Sequence, residues 1–146
     1  MKWINKISLR KLRINDKTFL WKRVHYHLDN FEYSECVEKV IIYLEGYKNA
    51  SLQLLFREED NLLLETELKK WCVGYPDTGV IWLLKPKEKD HSTYNISINL
   101  NRPAVITKFI EHYFDKEWKP KKSNKPLIIE NALLILEKIE LPQGIN

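Results

Sequence analysis

The periodicity of the sequence changes once between residues 95 and 118, and this change constrains the fold more than any other feature. Residues 95–100 alternate apolar and polar side chains, which is the period of a half-buried strand. After Asn101, the apolar residues recur three and four positions apart, as on one helix face. Asn101 is a predicted N-cap, and Pro103 is tolerated in the first turn because the N–H groups there lack intrahelical partners. A strand that leads directly into a capped amphipathic helix predicts a sheet for the helix to cover.

The rest of the chain supplies the strands of that sheet. The segment 36–44 is apolar on both faces, which predicts a central strand covered on both sides. Residues 57–71 fit either a helix or an extended strand, and both alternatives stay open. Runs of β-branched, aromatic and aliphatic residues predict strands at 4–14, 18–28, 36–44, 52–56 and 80–84.

A second helix is predicted after a short strand at 127–129. Asn131 is its candidate cap, and Pro142 ends it because proline cannot continue the hydrogen-bond ladder. Strands come first along the chain and helices last, which argues against a doubly wound parallel sheet. We therefore predict one α+β domain over residues 1–146, with an antiparallel sheet of about six strands and two C-terminal helices packed on one face.

The composition fits a folded chain in a reducing compartment. Of the 146 residues, 44% are hydrophobic and 30% are charged, which predicts a globular protein rather than a disordered one. The two cysteines, Cys36 and Cys72, cannot form an all-cysteine zinc site, and Cys36 opens an apolar strand as a small buried residue would. No signal peptide and no apolar run of membrane length is recognisable. The sequence therefore predicts a cytoplasmic protein without membrane contact.

His25-Tyr26-His27 is the strongest candidate site in the sequence. On a strand, His25 and His27 point the same way and can share a metal ion, with Asp29 next on that face. Two histidines on a solvated face are the more ordinary interpretation, because the sequence places no further ligand beside them. The sequence therefore assigns no metal site, no cofactor and no catalytic residue, and a small metal-dependent enzyme is the least favoured alternative.

Four common catalytic and nucleotide-binding motifs are absent from the sequence. It contains no GxSxG, no P-loop, no GxGxxG and no HExxH. It also has only four glycines with which to cradle a phosphate. We therefore expect a protein that is not an enzyme.

Basic residues are concentrated in two segments that also contain tryptophan. Residues 1–25 carry eight lysines and arginines against one acid, and residues 116–125 carry five lysines. Basic residues interleaved with aromatics can follow a phosphate backbone and stack on bases, so a nucleic-acid-associated protein using 2–23 and 116–125 is one alternative. The net charge of +4 is low for such a protein, and acidic strands can neutralise basic ones instead. The candidate binding residues are Trp21, Arg23, His25, His27, Trp118, Lys119, Lys121 and Lys122.

Five motifs follow one another along the chain. They are FLWK at 19–22, VIIYLEGYK at 40–48, GYPDTGV at 74–80, NLNRPAVI at 99–106 and WKP at 118–120. Together they resemble small uncharacterised bacterial cytoplasmic proteins. The resemblance implies an immunity or accessory protein that acts beside a secreted toxin, and it carries over no functional residues because the shared motifs are structural.

A protein-binding role accounts for more of these features than the alternatives do. The chain is small, rich in tryptophan and tyrosine, and polarised in charge. Aromatic residues anchor interfaces, and polarised charge steers association. We therefore expect a non-enzymatic protein of the bacterial cytoplasm that binds another protein, with toxin neutralisation as the role that the resemblance implies. The identity of the partner and the oligomeric state are not defined by the sequence.

Overall fold

Eight strands, one α-helix and one 3₁₀ helix form the described part of the chain. A computed structural model describes residues 9–29, 34–57, 70–72, 78–86, 93–139 and 141. The helix α1 spans Pro103–Tyr113, and the 3₁₀ helix spans Ala132–Glu137. The strands are β1 (Arg10–Ile14), β2 (Lys17–Asp29), β3 (Ser34–Leu44), β4 (Leu52–Arg57), β5 (Lys70–Cys72), β6 (Val80–Pro86), β7 (Thr93–Asn99) and β8 (Leu127–Ile129).

The described strands form two sheets rather than the single sheet predicted from the sequence. The main sheet has five strands in the order β1-β2-β3-β4-β8, and the second has three antiparallel strands in the order β5-β6-β7. β3 lies at the centre of the main sheet, as its apolar character predicted. β8 pairs with β4 in the parallel direction, so the sheet predicted to be antiparallel is a mixed sheet, with its other three pairings antiparallel. The parallel pairing follows from the long connection through β5, β6, β7 and α1, which returns the chain to the end where β4 begins.

The strand and helix predicted at the change in periodicity are present as β7 and α1, and α1 begins at Pro103. The prediction of Asn101 as the N-cap is wrong, because Arg102 occupies that position and forms no side-chain cap bond. The Asn101 side chain instead bonds Arg23 and Thr78 across the structure. Neither α1 nor any other described helical segment is long and apolar enough to cross a membrane. The buried residues of α1 are Val105, Ile106, Phe109, Ile110 and Tyr113.

The core lies between the inner face of the main sheet and α1. The ring of Phe19 lies edge to face with that of Phe114 at 5.2 Å and 6.0 Å from that of Trp118. Phe56 on β4 reaches Phe109 on α1 at 5.8 Å. Aromatic contacts of this kind bury large areas, so they join the sheet to the helix more strongly than aliphatic contacts alone. The strands β6 and β7 and the 3₁₀ helix add Ile81, Ile98, Ala132, Leu133, Ile135 and Leu136 to the same cluster.

The second C-terminal helix predicted from the sequence is a short 3₁₀ helix. The segment Ala132–Glu137 has six residues, too few for an α-helix to satisfy its end groups from its own ladder. Asn131, the predicted cap, makes no side-chain cap bond within the described part of the chain. Burial fixes the segment instead, because Ala132, Leu133 and Ile135 are almost inaccessible to solvent.

Burial makes the phenol of Tyr113 a source of pH-dependent stability. The residue is 4% exposed, and desolvation, with a smaller contribution from the Glu117 carboxylate, raises the pKa of Tyr113 from 10.0 to about 12. Above about pH 10 the unfolded chain releases this proton while the folded chain keeps it, so the free energy of unfolding falls as pH rises. We compare the free energy of unfolding of Tyr113→Phe with that of wild type by denaturant unfolding. As the pH rises from about 9 to 11, this difference should shift by about 1 kcal/mol in favour of the variant. A stability difference that is constant with pH would contradict this, and Tyr47→Phe at an exposed position is the matched control.

Candidate metal centre

The inner face of the main sheet changes from apolar to polar along β2 and β3. Toward one end, Phe19 and Trp21 face Leu44 and Ile42 and belong to the core. Toward the other end, polar residues occupy the same face, since every second residue of a strand points the same way. The next facing pairs, in order from the core, are Arg23 with Val40, His25 with Glu38 and His27 with Cys36.

Glu38 is the buried centre of this polar zone, and its side chain is inaccessible to solvent. One carboxylate oxygen, Oε1, accepts a hydrogen bond from Nη1 of Arg23 at 2.7 Å. The other oxygen, Oε2, lies 2.7 Å from Nδ1 of His25. A buried carboxylate is tolerated only where charge and hydrogen bonds compensate for its lost hydration. Arg23 supplies the compensating charge, and His25 supplies an N–H donor.

The contact with Glu38 fixes the tautomer of His25. A carboxylate oxygen accepts, so the proton of neutral His25 lies on Nδ1 and its Nε2 carries a lone pair. That Nε2 atom lies 3.2 Å from Nε2 of His27, and the two rings meet edge to face with centroids 5.1 Å apart. A carboxylate on the outer nitrogen is the usual support of a histidine that ligates a metal. The two imidazoles therefore converge on one point.

Cys36 adds a sulfur to this convergence. One ring nitrogen of each histidine and Sγ of Cys36 all lie within 4.8 Å of one another. Tetrahedral zinc, with bonds of about 2.0–2.1 Å to nitrogen and about 2.3 Å to sulfur, separates its ligand atoms by about 3.3–3.6 Å. The two Nε2 atoms, 3.2 Å apart, are close to this separation. The sulfur lies at most about 1.2 Å beyond it, since all three ligand atoms are within 4.8 Å of one another. Since Cys36 is half-buried and His27 is exposed, an ion can enter from solvent.

The same residues also fit the pattern of an activated nucleophile. In that pattern Cys36 is the nucleophile, His25 is the base and Glu38 orients the base. The pattern leaves His27 without a role, although its Nε2 atom faces that of His25 at 3.2 Å. A metal ion uses both histidines and the cysteine, so metal binding accounts for more of the observed geometry.

The two tryptophans among the candidate binding residues lie in the core. Trp21 is 1% exposed and Trp118 is 2% exposed. The guanidinium of Arg10 lies over Trp21, 4.5 Å from its ring centroid, and Nε1 of Trp118 donates to the carbonyl oxygen of Ala50 at 2.7 Å. Both indoles therefore contribute to packing rather than to an exposed surface. The lysines that follow Trp118, which are Lys119, Lys121 and Lys122, are exposed.

The basic residues of β1 and the basic segment 116–125 adjoin opposite edges of the main sheet. Arg10, Lys11 and Arg13 belong to β1 at one edge, and residues 116–125 lead into β8 at the other. Four strand spacings, about 19 Å, separate these two edges. Arg23 does not belong to a basic surface, because its side chain turns inward and pairs with Glu38.

Sequence reasoning missed Glu38 and Cys36 as partners of the two histidines. Cys36, predicted as a small buried residue, is half-buried and faces His27. The side chain of Asp29, the next residue on the face of the two histidines, lies outside the described part of the structure. The available signal was the short separation of β2 and β3 along the sequence, since consecutive antiparallel strands place the start of the second opposite the end of the first.

The fold and the cluster define an α+β protein with a site of two histidines and one cysteine on the inner face of its main sheet. Comparison with protein-family models, with curated proteins and with solved structures found no match for this chain. The function is therefore inferred from the residues of the site.

Proposed function

We propose that this chain binds one transition-metal ion of the zinc type through His25, His27 and Cys36. The observation that carries the proposal is the convergence of two histidine Nε2 atoms, 3.2 Å apart, on a point within reach of a cysteine sulfur. Glu38 supports this arrangement because it holds the Nδ1 proton of His25 and so turns the lone pair of Nε2 toward the ion. The proposed role is binding, without catalysis.

The donor atoms favour zinc over the hard cations. Magnesium and calcium take oxygen ligands, whereas imidazole nitrogen and thiolate sulfur suit zinc. The cluster offers two nitrogens and one sulfur. Both oxygens of the neighbouring Glu38 already bond Arg23 and His25, so this carboxylate supports the ligands rather than joining them.

A bound ion at this site joins β2 to β3 where the apolar core has ended. His25 and His27 lie on β2, and Cys36 lies on β3. The unfolded chain does not hold these three ligands together, so the free energy of metal binding adds to the free energy of folding. The ion therefore acts as a structural link between two neighbouring strands.

Zinc is expected to raise the thermal stability of the chain. At a free zinc concentration of about 100 times Kd, binding adds about 3 kcal/mol, which raises the Tm of a chain of this length by about 6–12 °C. The measurement is thermal unfolding of chelator-treated protein with and without zinc, combined with the metal content of the dialysed protein. An unchanged Tm, or an equal rise with magnesium, would overturn the proposal.

Binding to another protein and binding to nucleic acid, in a cytoplasmic setting, remain predictions from the sequence. A pull-down from the native host, with and without nuclease and at low and high salt, separates them. One stoichiometric protein that survives nuclease and salt supports the protein partner, with a toxin as the partner that an immunity role requires. If nucleic acid is recovered and its amount falls steeply as the salt concentration rises, the result supports nucleic-acid binding. Repeating the experiment with His27→Gln shows whether the partner requires the metal centre.

A further inference from the structure

We propose that Arg23 is a positioning residue of the metal centre, and that Asn101 and Gly79 set its position from the opposite side. The inference rests on the proposed zinc site, since it concerns the affinity of that site. Arg23, Asn101 and Gly79 are not ligands, but together they control how His25 is presented to the ion.

Arg23 bridges the main sheet and the connection between β7 and α1. On one side its Nη1 donates to Oε1 of Glu38 at 2.7 Å, and on the other its Nε donates to Oδ1 of Asn101 at 2.9 Å. The side chain is 20% exposed, so both bonds are largely shielded from water. The guanidinium is therefore held at two points, and it holds one oxygen of Glu38 in turn.

Asn101 presents its side-chain oxygen, and not its nitrogen, to Arg23. Its Nδ2 donates to the carbonyl oxygen of Thr78 at 2.6 Å and to Oδ1 of Asn99 at 3.0 Å. Its backbone N–H donates to the same oxygen of Asn99 at 2.9 Å, and Nη1 of Arg10 donates to its carbonyl oxygen. These four bonds fix the orientation of Asn101, and they explain why its side chain does not cap α1.

Gly79 leaves space for the Arg23 side chain because it has no Cβ atom. A Cβ atom built on Gly79 would lie 2.5 Å from Nε of Arg23 and 2.6 Å from Nδ2 of Asn101, closer than real Cβ contacts come. Its φ of +77° also disfavours any residue with a side chain. The backbone at residue 79 therefore limits where the guanidinium can lie.

A continuous chain of hydrogen bonds then runs from Asn101 to a metal ligand. Asn101 orients Arg23, Arg23 orients Glu38, and Glu38 fixes the ring and the proton of His25. Partners that support ligating histidines contribute about 10–100-fold to metal affinity. Lysine cannot replace Arg23, because one ammonium group does not reproduce the planar fork that reaches both Glu38 and Asn101.

The test compares zinc affinity in Arg23→Lys and Gly79→Ala with that of wild type and of Gly46→Ala. Gly46 is the matched control because it also has a positive φ, +91°, yet no described atom lies within 4 Å of an added Cβ. We expect Arg23→Lys and Gly79→Ala to bind zinc about 10-fold more weakly than wild type, the lower end of the range for direct partners of a ligating histidine, because both residues act through Glu38. Gly46→Ala should stay within about twofold of wild type, since it is remote from the site.

Cobalt absorption separates a positioning role from loss of the ligands. No ligand is changed, so the Arg23→Lys protein should keep the tetrahedral cobalt spectrum of wild type once it is saturated. If Gly79→Ala does not fold, Asn101→Ala replaces it in the comparison. We expect the same loss of zinc affinity in that variant. Wild-type zinc affinity in Arg23→Lys and Asn101→Ala overturns this inference and leaves the zinc site standing. Absence of zinc and cobalt binding by wild type overturns both.

Discussion

Replacing Cys36 by serine is expected to lower the zinc affinity of the chain by at least about 100-fold. The thiolate contributes charge and a soft donor atom, and a serine hydroxyl supplies neither. His25→Gln and His27→Gln are expected to lower the affinity by a similar factor, because each removes one of the three converging ligand atoms. His25→Gln also leaves Oε2 of Glu38 without its N–H donor.

Competition between the protein and a chelator of known zinc affinity measures this effect. His112→Gln is the matched control, since His112 lies on α1 about three turns beyond Asn101, with its ring 4.8 Å from that of Tyr113. Its zinc affinity should stay within about twofold of wild type. If Cys36→Ser and His112→Gln bind zinc equally well, Cys36 is not a ligand and the proposed site is wrong.

Replacing Glu38 by glutamine is expected to lower the free energy of unfolding by about 3 kcal/mol and to weaken zinc binding. Glu38 is fully buried and pairs with Arg23, which is only 20% exposed. Removal of the carboxylate charge takes the Glu38 counter-charge away from a largely buried guanidinium, which costs more than the intact pair contributes. Glutamine can also donate to Nδ1 of His25, so the tautomer that presents Nε2 is no longer fixed.

Glu35 offers a matched control on the same strand. Its side chain is 5% exposed and accepts a hydrogen bond at 2.7 Å from Nη2 of Arg57, which is 23% exposed. Because strand residues alternate, Glu35 lies on the opposite face of β3 from Glu38. Glu35→Gln should therefore cost a similar free energy of unfolding and leave zinc affinity within about twofold of wild type.

Two measurements on these variants separate stability from metal binding. Denaturant unfolding in the presence of chelator gives the free energy of unfolding, and zinc competition in native buffer gives the affinity. Equal weakening of zinc binding in Glu38→Gln and Glu35→Gln would show that the effect acts through stability, against a specific role of Glu38. Unchanged stability of Glu38→Gln would contradict the buried pair with Arg23.

Local periodicity defines the elements of this fold but not how they pair. Alternation and helical spacing predict β2, β3, β7 and α1 closely, because each pattern depends on residues near one another in the sequence. The parallel pairing of β8 with β4 depends on the path of the chain between them, which no local pattern encodes. The 3₁₀ helix at Ala132–Glu137 likewise follows from burial rather than from its own propensity.

Only part of the site was predictable, because local patterns define the strands but not how they pair. His25 and His27 share a face of one strand by alternation alone. The position of Glu38 and Cys36 opposite them depends on the register of β2 and β3, and a slip of one residue would bring Val37 to this face instead. A single sequence does not fix that register, so the ligand set could not be completed from it.

Asn101 and the tryptophans show tertiary contacts overriding local patterns. Asn101 stands where an N-cap is expected, yet its side-chain oxygen accepts a hydrogen bond from Arg23. It makes no capping hydrogen bond to the first turn of α1. Trp21 and Trp118 adjoin basic residues in the sequence, as stacking residues of a nucleic-acid site would, yet both indoles are buried in the core. Adjacency along a chain does not determine which side chains reach the surface.

Titration of the metal-free protein with cobalt tests the zinc site most directly. Cobalt enters zinc sites, and its absorption reports both the coordination geometry and the presence of a thiolate ligand. We expect one cobalt ion per chain, strong visible bands of tetrahedral cobalt and a near-ultraviolet band from thiolate-to-cobalt charge transfer. Addition of zinc should displace cobalt and remove these bands. A weak octahedral spectrum without the thiolate band, or no spectral change at all, would contradict a metal centre formed by His25, His27 and Cys36.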